Sequence, residues 1–467
     1  MIRILALSVL IAATPAAAQE IPFAPAADDR IVPESQTQVQ LSYAPVVRQA
    51  APAVVNVYSR RVSQARSPFA DDPFFSRLFR SQPREQNSLG SGVIVDPSGV
   101  IVTNNHVVEG ATELRVVLAD RREFEAEILL TDEATDLAVL MVETDEPLPT
   151  LPYDPDGDSE VGDLVLAIGN PFGVGQTVTS GIVSALARTD VGQTDFASFI
   201  QTDAAINPGN SGGALVDMEG QLIGVNTMIF SRSGGSNGIG FAIPVDMVRR
   251  VVDSALTEGE LIRPWLGARL QPVTNDLAEA FGLDRPRGAL VNEIYPNGAA
   301  DDGGLRQGDI VLSIDGHEIN NDSGALFRLA TRAAGEDAEF TILRDEEQVE
   351  LSVPVLPAPG VAEPDPFVLD GTNPFQGLSV VELNPAFNQA IGIDAFADGL
   401  VVTSVRRRSV AAGHGFRPGD RIVELQGERV EDLAGFQEIL EDYDGSIDWP
   451  IAIERRGRRH EANIKLY

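Results

Sequence analysis

Residues 92–102 read Gly-Val-Ile-Val-Asp-Pro-Ser-Gly-Val-Ile-Val, two β-branched runs on either side of an Asp-Pro-Ser-Gly turn. Short β-branched runs separated by turn residues are typical of a β-hairpin. Similar runs recur along the chain as far as residue 241, at 113–118, 124–130, 137–142, 164–168, 177–186 and 222–230. Many short strands at this spacing predict an all-β sandwich or a pair of barrels.

Two segments interrupt or end this strand pattern. Residues 60–88 contain Pro68, Pro73 and Pro83, which predicts a long loop that is functional or disordered. Residues 244–256 change to a helical period, with valines at 245, 248 and 251 on one face, and Gly259 follows as a stop signal. We therefore expect a helix to close the first domain.

An internal repeat occupies the rest of the chain. Residues 305–311 (Leu-Arg-Gln-Gly-Asp-Ile-Val) parallel residues 416–422 (Phe-Arg-Pro-Gly-Asp-Arg-Ile) at an offset of 111 residues. This offset fits two copies of a module of about 90 residues joined by a proline-rich linker. The predicted boundaries are 19–260 for the β domain, 261–356 for the first module, 357–373 for the linker and 374–467 for the second module.

The N-terminus and the composition place the protein in an exported, acidic class. Residues 1–18 carry one positive charge at Arg3, an apolar run and a small-residue end, which predicts a signal peptide cleaved after about Ala18. The sequence has no cysteine, so disulfides and thiol chemistry are excluded. The net charge of −34 argues against nucleic acid as a partner. We expect no cofactor and no metal site, since no His-Glu-x-x-His pair is present.

The run Gly-Asn-Ser-Gly-Gly at 209–213 offers a candidate nucleophile in Ser211. Glycine neighbours leave backbone N–H groups accessible for a developing oxyanion. The run also fits the Gly-x-Ser-x-Gly elbow of α/β-hydrolases, which requires a helix after the serine. Here a strand, a turn and a second strand follow, at 214–217, 218–220 and 222–230, so the elbow interpretation fails.

A serine nucleophile needs a base, and His106 is the only histidine in the β domain. An acid that orients it could be Asp132, Asp136 or Asp203. Asp136 directly precedes the predicted strand 137–142, where a barrel would hold it firmly, whereas the other two suit turns or loops. The order His, Asp, Ser is the order found in chymotrypsin-like double barrels.

Three segments resemble the triad segments of the HtrA/Deg family of periplasmic proteases: 103–108 (Thr-Asn-Asn-His-Val-Val), 135–140 (Thr-Asp-Leu-Ala-Val-Leu) and 209–215 (Gly-Asn-Ser-Gly-Gly-Ala-Leu). The resemblance extends over 167–173, 201–207, 238–244 and both repeat modules. It implies a mainly β protein, a trypsin-like double β-barrel followed by two α+β PDZ domains.

The same resemblance implies a serine endopeptidase of the peptidase Do type that acts without ATP on unfolded or misfolded envelope proteins, with added chaperone activity. Ser211 would attack, His106 would transfer the proton, and Asp136 would orient the imidazole. Backbone groups of Gly209, Asn210 and Ser211 would form the oxyanion hole. Ile206 would line a pocket for a small aliphatic side chain.

The family's PDZ domains bind peptide C-termini through backbone N–H groups of a short loop. The matching positions here are Trp265, Leu266, Gly267 and Ala268 in the first module and Phe375, Gln376, Gly377 and Leu378 in the second. The resemblance further implies homotrimers or multiples of trimers. It also implies a regulatory role for the loop 60–88, which is similar to that of the DegQ or MucD branch.

Two other functions stay open on the sequence. A holdase would retain unfolded proteins on its acidic surface and PDZ domains without cutting them, although an intact triad argues against this as the sole activity. A regulatory protease would cleave one specific envelope signalling protein.

Overall fold

The computed structural model describes residues 42–63, 84–170 apart from 156 and 158, 175–188, 198–229 apart from 208, 236–441 apart from 258, and 448–465. The predicted signal peptide and most of the predicted loop, residues 64–83, lie outside the described residues. Within these ranges, no helix is long and apolar enough to cross a membrane.

The first barrel closes six antiparallel strands in the order β1-β2-β3-β6-β5-β4. A helix α1, Ala44–Ala50, and a 3-10 turn, Ala51–Ala53, precede it. Its strands are β1 Val54–Ser63, β2 Arg84–Asp96, β3 Val100–Asn104, β4 Glu113–Val117, β5 Glu123–Asp132 and β6 Leu137–Val142. The ends of the predicted loop 60–88 therefore belong to β1 and β2, which pair directly. The pairing of β1 with β2 extends to Ser63 and Arg84, into the segment that its prolines had indicated to be a loop.

The predicted hairpin at residues 92–102 forms the end of β2 and the start of β3, and hydrogen bonds within its turn stabilise it. The Asp96 side chain accepts hydrogen bonds from the Ser98 N–H (2.8 Å) and hydroxyl (2.6 Å). Gly99 adopts φ +108°, a conformation that side chains rarely tolerate. β3 is buried along its whole length and leads straight into the short helix α2, Asn105–Val108, which carries His106.

The second barrel closes six strands in the order β10-β11-β12-β9-β8-β7. They are β7 Leu164–Gly169, β8 Thr177–Arg188, β9 Phe199–Thr202, β10 Ala214–Val216, β11 Leu222–Ile229 and β12 Gly240–Pro244. The predicted helix follows as α3, Val245–Thr257, and buries its valine face against the core shared by the two barrels. This core contains residues of β2, β3 and β6 of the first barrel and of β7, β10 and β11 of the second.

The first repeat module, module 1, is a sheet in the order β13-β14-β15-β17-β18 with β16 paired to β15. Its strands are β13 Ala268–Pro272, β14 Ala289–Ile294, β15 Ile310–Ile314, β16 His317–Glu318, β17 Asp337–Arg344 and β18 Glu347–Pro354. Its helices are α4 Asn275–Ala280, α5 Ala299–Asp302 and α6 Asp322–Ala330.

The second module, module 2, repeats this sheet with one more strand at its edge, in the order β19-β20-β21-β22-β24-β25 with β23 paired to β22. Its strands are β19 Phe367–Val368, β20 Leu378–Glu382, β21 Leu400–Val405, β22 Arg421–Leu425, β23 Glu428–Arg429, β24 Asp448–Arg455 and β25 Arg458–Lys465. Its helices are α7 Pro385–Ala390, α8 Val410–Gly413 and α9 Leu433–Glu441. The predicted linker 357–373 thus contains a strand of module 2. The short apolar run 367–369 was assigned to the linker because prolines lie on both sides of it.

The repeated Gly-Asp motif has the same physical role in both modules. The buried Asp309 accepts a bidentate pair of hydrogen bonds from Arg344 (2.8 and 2.7 Å). Asp420 makes the equivalent pair with Arg455 (2.5 and 2.6 Å). Both aspartates also accept from the backbone N–H three residues earlier, which fixes the turn. Because the buried carboxylate needs these same partners in each module, the Gly-Asp motif occurs at the same place in both.

Candidate active site

Asp136 is fixed at the turn between β5 and β6 by the chain that carries the histidine. Its carbonyl accepts hydrogen bonds from the Asn105 N–H and the Asn104 side-chain amide, both at 3.0 Å. Its backbone has φ +57°, which is uncommon for a residue with a side chain. Strain of this kind persists where surrounding contacts determine the conformation, and it is frequent at functional sites.

His106 and Asp136 make three hydrogen bonds. The His106 ring Nδ1 lies 2.8 Å from Asp136 Oδ2 and 3.0 Å from Oδ1, and the His106 N–H donates to Oδ1 at 3.0 Å. Burial alone would raise the pKa of Asp136, but the hydrogen bonds and charge of His106 and the Thr227 hydroxyl together hold that pKa below its usual value. The carboxylate is therefore ionised at neutral pH and orients the imidazole with Nδ1 as donor.

The two other candidate acids lie elsewhere with partners of their own. Asp132 accepts from the Thr135 N–H (3.1 Å) and hydroxyl (2.6 Å) and forms an ion pair with Arg263. Asp203 accepts from the Ile182 N–H at 2.7 Å. Of the three aspartates considered from the sequence, the structure brings Asp136 to His106.

Thr227 on β11 connects the acid to the serine, and the sequence analysis missed it. Its hydroxyl donates to Asp136 Oδ2 at 2.6 Å, and its carbonyl accepts from the Ser211 hydroxyl at 3.0 Å. Among the described residues, no hydrogen bond joins Ser211 to His106. Thr227 is 2% exposed and follows the buried Asn226 in β11, and this pair of polar residues among apolar neighbours was the available sequence signal.

Replacing Thr227 with valine should destabilise the protease domain by about 1.5–3 kcal/mol at neutral pH, because a buried hydrogen bond to a charged group is lost. The pKa of Asp136 is lowered on folding, so this stabilisation is present above the unfolded-state pKa of about 3.9. It disappears as the pH falls through the lower folded-state pKa. Urea unfolding of wild type and variant between pH 7 and pH 3 measures this difference.

Thr202→Val is a matched control for that experiment. Thr202 is fully buried, and its hydroxyl donates to the Ile182 carbonyl at 2.8 Å rather than to a carboxylate. Its loss of stability should not vary with the ionisation of Asp136. A constant difference for Thr227→Val across this pH range would contradict the assigned contact.

The glycines around Ser211 allow β2 and β7 to approach closely. A Cβ on Gly212 would lie 2.1 Å from the Ser91 carbonyl oxygen, and one on Gly213 would lie 2.3 Å from the Ile168 carbonyl oxygen. Gly209 adopts φ +102° in a turn closed by the Asn210 N–H donating to the Asn207 carbonyl at 2.9 Å. Side chains at these glycine positions would push the serine loop away from both barrels.

The turn engages one of the three N–H groups that were predicted to form the oxyanion hole. The N–H of Asn210 is used within the turn. The Gly209 and Ser211 N–H groups make no hydrogen bond to a residue that the structure describes. The roles of Gly209, Asn210 and Ser211 in an oxyanion hole stay a prediction.

Ser91 holds the serine loop from the first barrel, and it too was missed. Its hydroxyl donates to the Gly209 carbonyl at 2.6 Å and accepts from the Asn170 N–H at 2.8 Å. Its backbone N–H donates to the Ser211 carbonyl at 2.9 Å. Ser91 is fully buried, so every one of these polar groups has its partner inside the protein.

Ile206 lies next to the serine loop with its side chain in the core of the second barrel, 1% exposed. A Cβ on Gly240, the first residue of β12, would lie 2.8 Å from Ile206 Cδ1, so the Ile206 side chain packs closely against this glycine. Its place as a pocket-lining residue stays a prediction.

The two predicted carboxylate-binding loops differ in their free donors. In module 1, Trp265 and Leu266 are buried and Gly267 has φ +70°. No described residue accepts from the Leu266 or Gly267 N–H, and Ala268 begins β13 at the edge of the sheet. This loop presents unpaired N–H groups next to an open strand edge, as peptide capture requires.

In module 2, the loop donors already have partners. The Gln376 N–H donates to the Asn373 carbonyl (3.2 Å), the Gly377 N–H to the Leu369 carbonyl (2.8 Å) and the Leu378 N–H to the Phe375 carbonyl (3.0 Å). Phe375 and Leu378 are fully buried. The sequence analysis assigned the same role to both loops and did not reveal this difference.

Family models match both regions of the chain. Residues 90–225 match the trypsin-like peptidase domain, and residues 264–355 and 374–466 each match the PDZ domain. Modules 1 and 2 are therefore the first and second PDZ domains. Both closed barrels and both PDZ domains confirm the expected fold class.

Relatives resemble the chain over nearly its whole length. A probable periplasmic serine endoprotease DegP-like of Halomonas elongata is 39% identical over 444 residues, which cover 90% of this chain and 92% of the relative. One of Chlamydia pneumoniae with the same description is 37% identical and covers 87% of this chain and 86% of the relative.

Solved structures of HtrA-type proteases are also similar to this chain, over a shorter part of its length. The HtrA-type protease AlgW with a decapeptide is 44% identical, covers 68% of this chain and 100% of the solved chain, and has a TM-score of 0.51. AlgW with a tripeptide is 43% identical, covers 68% and 98%, and has a TM-score of 0.52. The chain is thus a trypsin-like serine endopeptidase with two PDZ domains, and it belongs to the HtrA family of DegP-like periplasmic serine endoproteases.

Proposed function

We propose that the protein cleaves unfolded or misfolded envelope proteins in the periplasm, without ATP, by means of Ser211, His106 and Asp136. The observation that carries this proposal is the continuous chain of contacts from His106 through Asp136 and Thr227 to Ser211. It brings together residues separated by up to 121 positions in sequence, where the two barrels meet.

In this mechanism Ser211 Oγ attacks the peptide carbonyl while His106 Nε2 takes its proton. The Ser211 hydroxyl gives up its hydrogen bond to the Thr227 carbonyl and turns towards the imidazole when substrate is bound. The ionised Asp136 stabilises the imidazolium, which then donates its proton to the leaving amine. The N–H groups of Gly209 and Ser211 stabilise the oxyanion, and a water molecule hydrolyses the acyl enzyme by the reverse sequence.

Substrate selection rests on Ile206 and on the PDZ domains in this proposal. A small aliphatic side chain before the scissile bond fits a pocket bounded by Ile206. The AlgW structures are described with a decapeptide or a tripeptide, which supports peptide binding by the PDZ domains here. A peptide C-terminus would add to β13 and place its carboxylate at the Leu266 and Gly267 N–H groups.

The proposal also covers export, domain limits and assembly. Residues 1–18 direct export and are removed, the protease domain spans 19–260, and the PDZ domains span 261–356 and 374–467. The mature chain assembles as homotrimers or multiples of trimers and has chaperone activity as well. Periplasmic relatives of nearly equal length support this location.

The test uses one protein in two states, native lactalbumin and its reduced, carboxymethylated form, with ATP absent. We expect cleavage of the unfolded form, resistance of the native form and no change on adding ATP. Cleavage of both forms at equal rates would contradict selection of unfolded clients. Retention of the unfolded form without cleavage would instead favour a holdase.

A further inference from the structure

The second PDZ domain has a segment of its own chain where a peptide would bind. β19, Phe367–Val368, pairs antiparallel with β20, matching Phe367 to Val380 and Val368 to Ser379. The other edge of β20 is paired with β21. In the first PDZ domain the corresponding strand β13 pairs with β14 alone among the described strands. The edge that is open in one domain is filled in the other.

Leu369, the residue after β19, makes the backbone contacts of a bound peptide's last residue. Its N–H donates to the Leu378 carbonyl at 2.9 Å, and its carbonyl accepts from the Gly377 N–H at 2.8 Å. A peptide added to a PDZ strand bonds to that strand and presents its terminal oxygen to the loop N–H groups. The Leu369 carbonyl oxygen takes the place of that terminal oxygen.

The side chain of Leu369 is equally well placed. It is 3% exposed and belongs to the same buried apolar cluster as Phe375, Leu378 and Phe436 of α9. An apolar side chain buried between the edge strand and the helix is what an apolar C-terminal residue would supply. Backbone and side chain of Leu369 therefore both occupy the peptide position.

A tethered ligand has a large advantage over a free one. Short flexible tethers give effective concentrations on the order of mM, so a free peptide of equal intrinsic affinity would need a similar concentration to displace half of the segment. The three loop N–H donors in this domain are also paired within the chain, whereas the N–H groups of Leu266 and Gly267 in the first domain donate to no described residue.

We propose that residues 367–369 are an internal ligand that closes the second PDZ domain to free peptide C-termini, so that external peptides bind at the first PDZ domain. The second domain takes an external peptide only after this segment leaves. The inference rests on the proposed peptide binding by PDZ domains and is independent of the catalytic residues.

The experiment uses the mature full-length chain with Ser211→Ala to prevent cleavage. The probe is a seven-residue peptide that copies residues 363–369 and ends in a free leucine carboxylate. Calorimetry counts the sites per chain, and hydrogen exchange of residues 266–272 and 376–382 locates them. Leu369→Asp places a charge in the buried position and should release the segment. Val361→Asp is the matched control, because Val361 is 59% exposed in the same linker.

We expect one site in the parent and in Val361→Asp, with protection of 266–272, and two sites in Leu369→Asp, with added protection of 376–382. Leu369→Ala, which conserves the fold better, should raise the affinity of the second domain at least about tenfold. Two sites in the parent, or no gain at 376–382 in either Leu369 variant, would overturn the inference. A gain at 376–382 without binding at 266–272 would uphold it and remove only the proposal for the first domain.

Discussion

Ser211→Ala should lower kcat for peptide hydrolysis by about 10⁵- to 10⁶-fold, to the residual level that the oxyanion groups and substrate binding provide. Alanine removes the attacking oxygen and its hydrogen bond to the Thr227 carbonyl but leaves the loop bonds of Ser91 in place. Substrate binding and the fold should therefore be unchanged. Hydrolysis of the carboxymethylated lactalbumin and circular dichroism measure the two quantities.

Ser254→Ala is the control for this substitution. Ser254 is also fully buried, and its hydroxyl donates to the Arg250 carbonyl within α3 at 2.9 Å, far along the chain from the serine loop. We expect activity close to wild type. Wild-type rates in Ser211→Ala would exclude Ser211 as the nucleophile, whatever the result for Ser254.

Asp136→Asn should lower kcat about 10⁴-fold at neutral pH while the protein stays folded. The carboxylate accepts hydrogen bonds from the His106 ring, the His106 N–H and the Thr227 hydroxyl. An amide has one oxygen and a donor in place of the second, so it favours the wrong imidazole tautomer. Asparagine tolerates the positive φ at this position, so the loss of kcat does not come from added backbone strain.

Asp203→Asn tests whether any nearby aspartate would have the same effect. Its side-chain oxygen accepts from the Ile182 N–H, and an asparagine oxygen can do the same. We expect kcat close to wild type. A similar loss in both variants, measured with the same fluorogenic peptide across pH 5–9, would show that negative charge in the domain matters rather than the contact with His106.

The sequence predicted the architecture well because local patterns encode it. Asp96-Pro97-Ser98-Gly99 forms the turn that joins β2 to β3, and the valine-rich helical period forms α3 as expected. The repeat at an offset of 111 was visible because Asp309 and Asp420 need identical surroundings. His106 and Asp136 could be selected because the histidine had no competitor in its domain.

The residues that were missed act across long separations in sequence. Ser91 reaches Gly209 over 118 positions, and Thr227 reaches Asp136 over 91. A buried hydroxyl in a strand gives no local sign of its partner. Leu369 was assigned to the linker because prolines dominate that segment, whereas its burial depends on β20 and α9, which follow later in the chain.

The most direct test of the catalytic assignment is covalent modification by diisopropyl fluorophosphate, mapped by mass spectrometry. We expect one adduct per chain, located on Ser211, formed rapidly in the wild type and very slowly in His106→Ala, because the imidazole must take the hydroxyl proton. Modification of a different serine, or equal rates with and without His106, would contradict it.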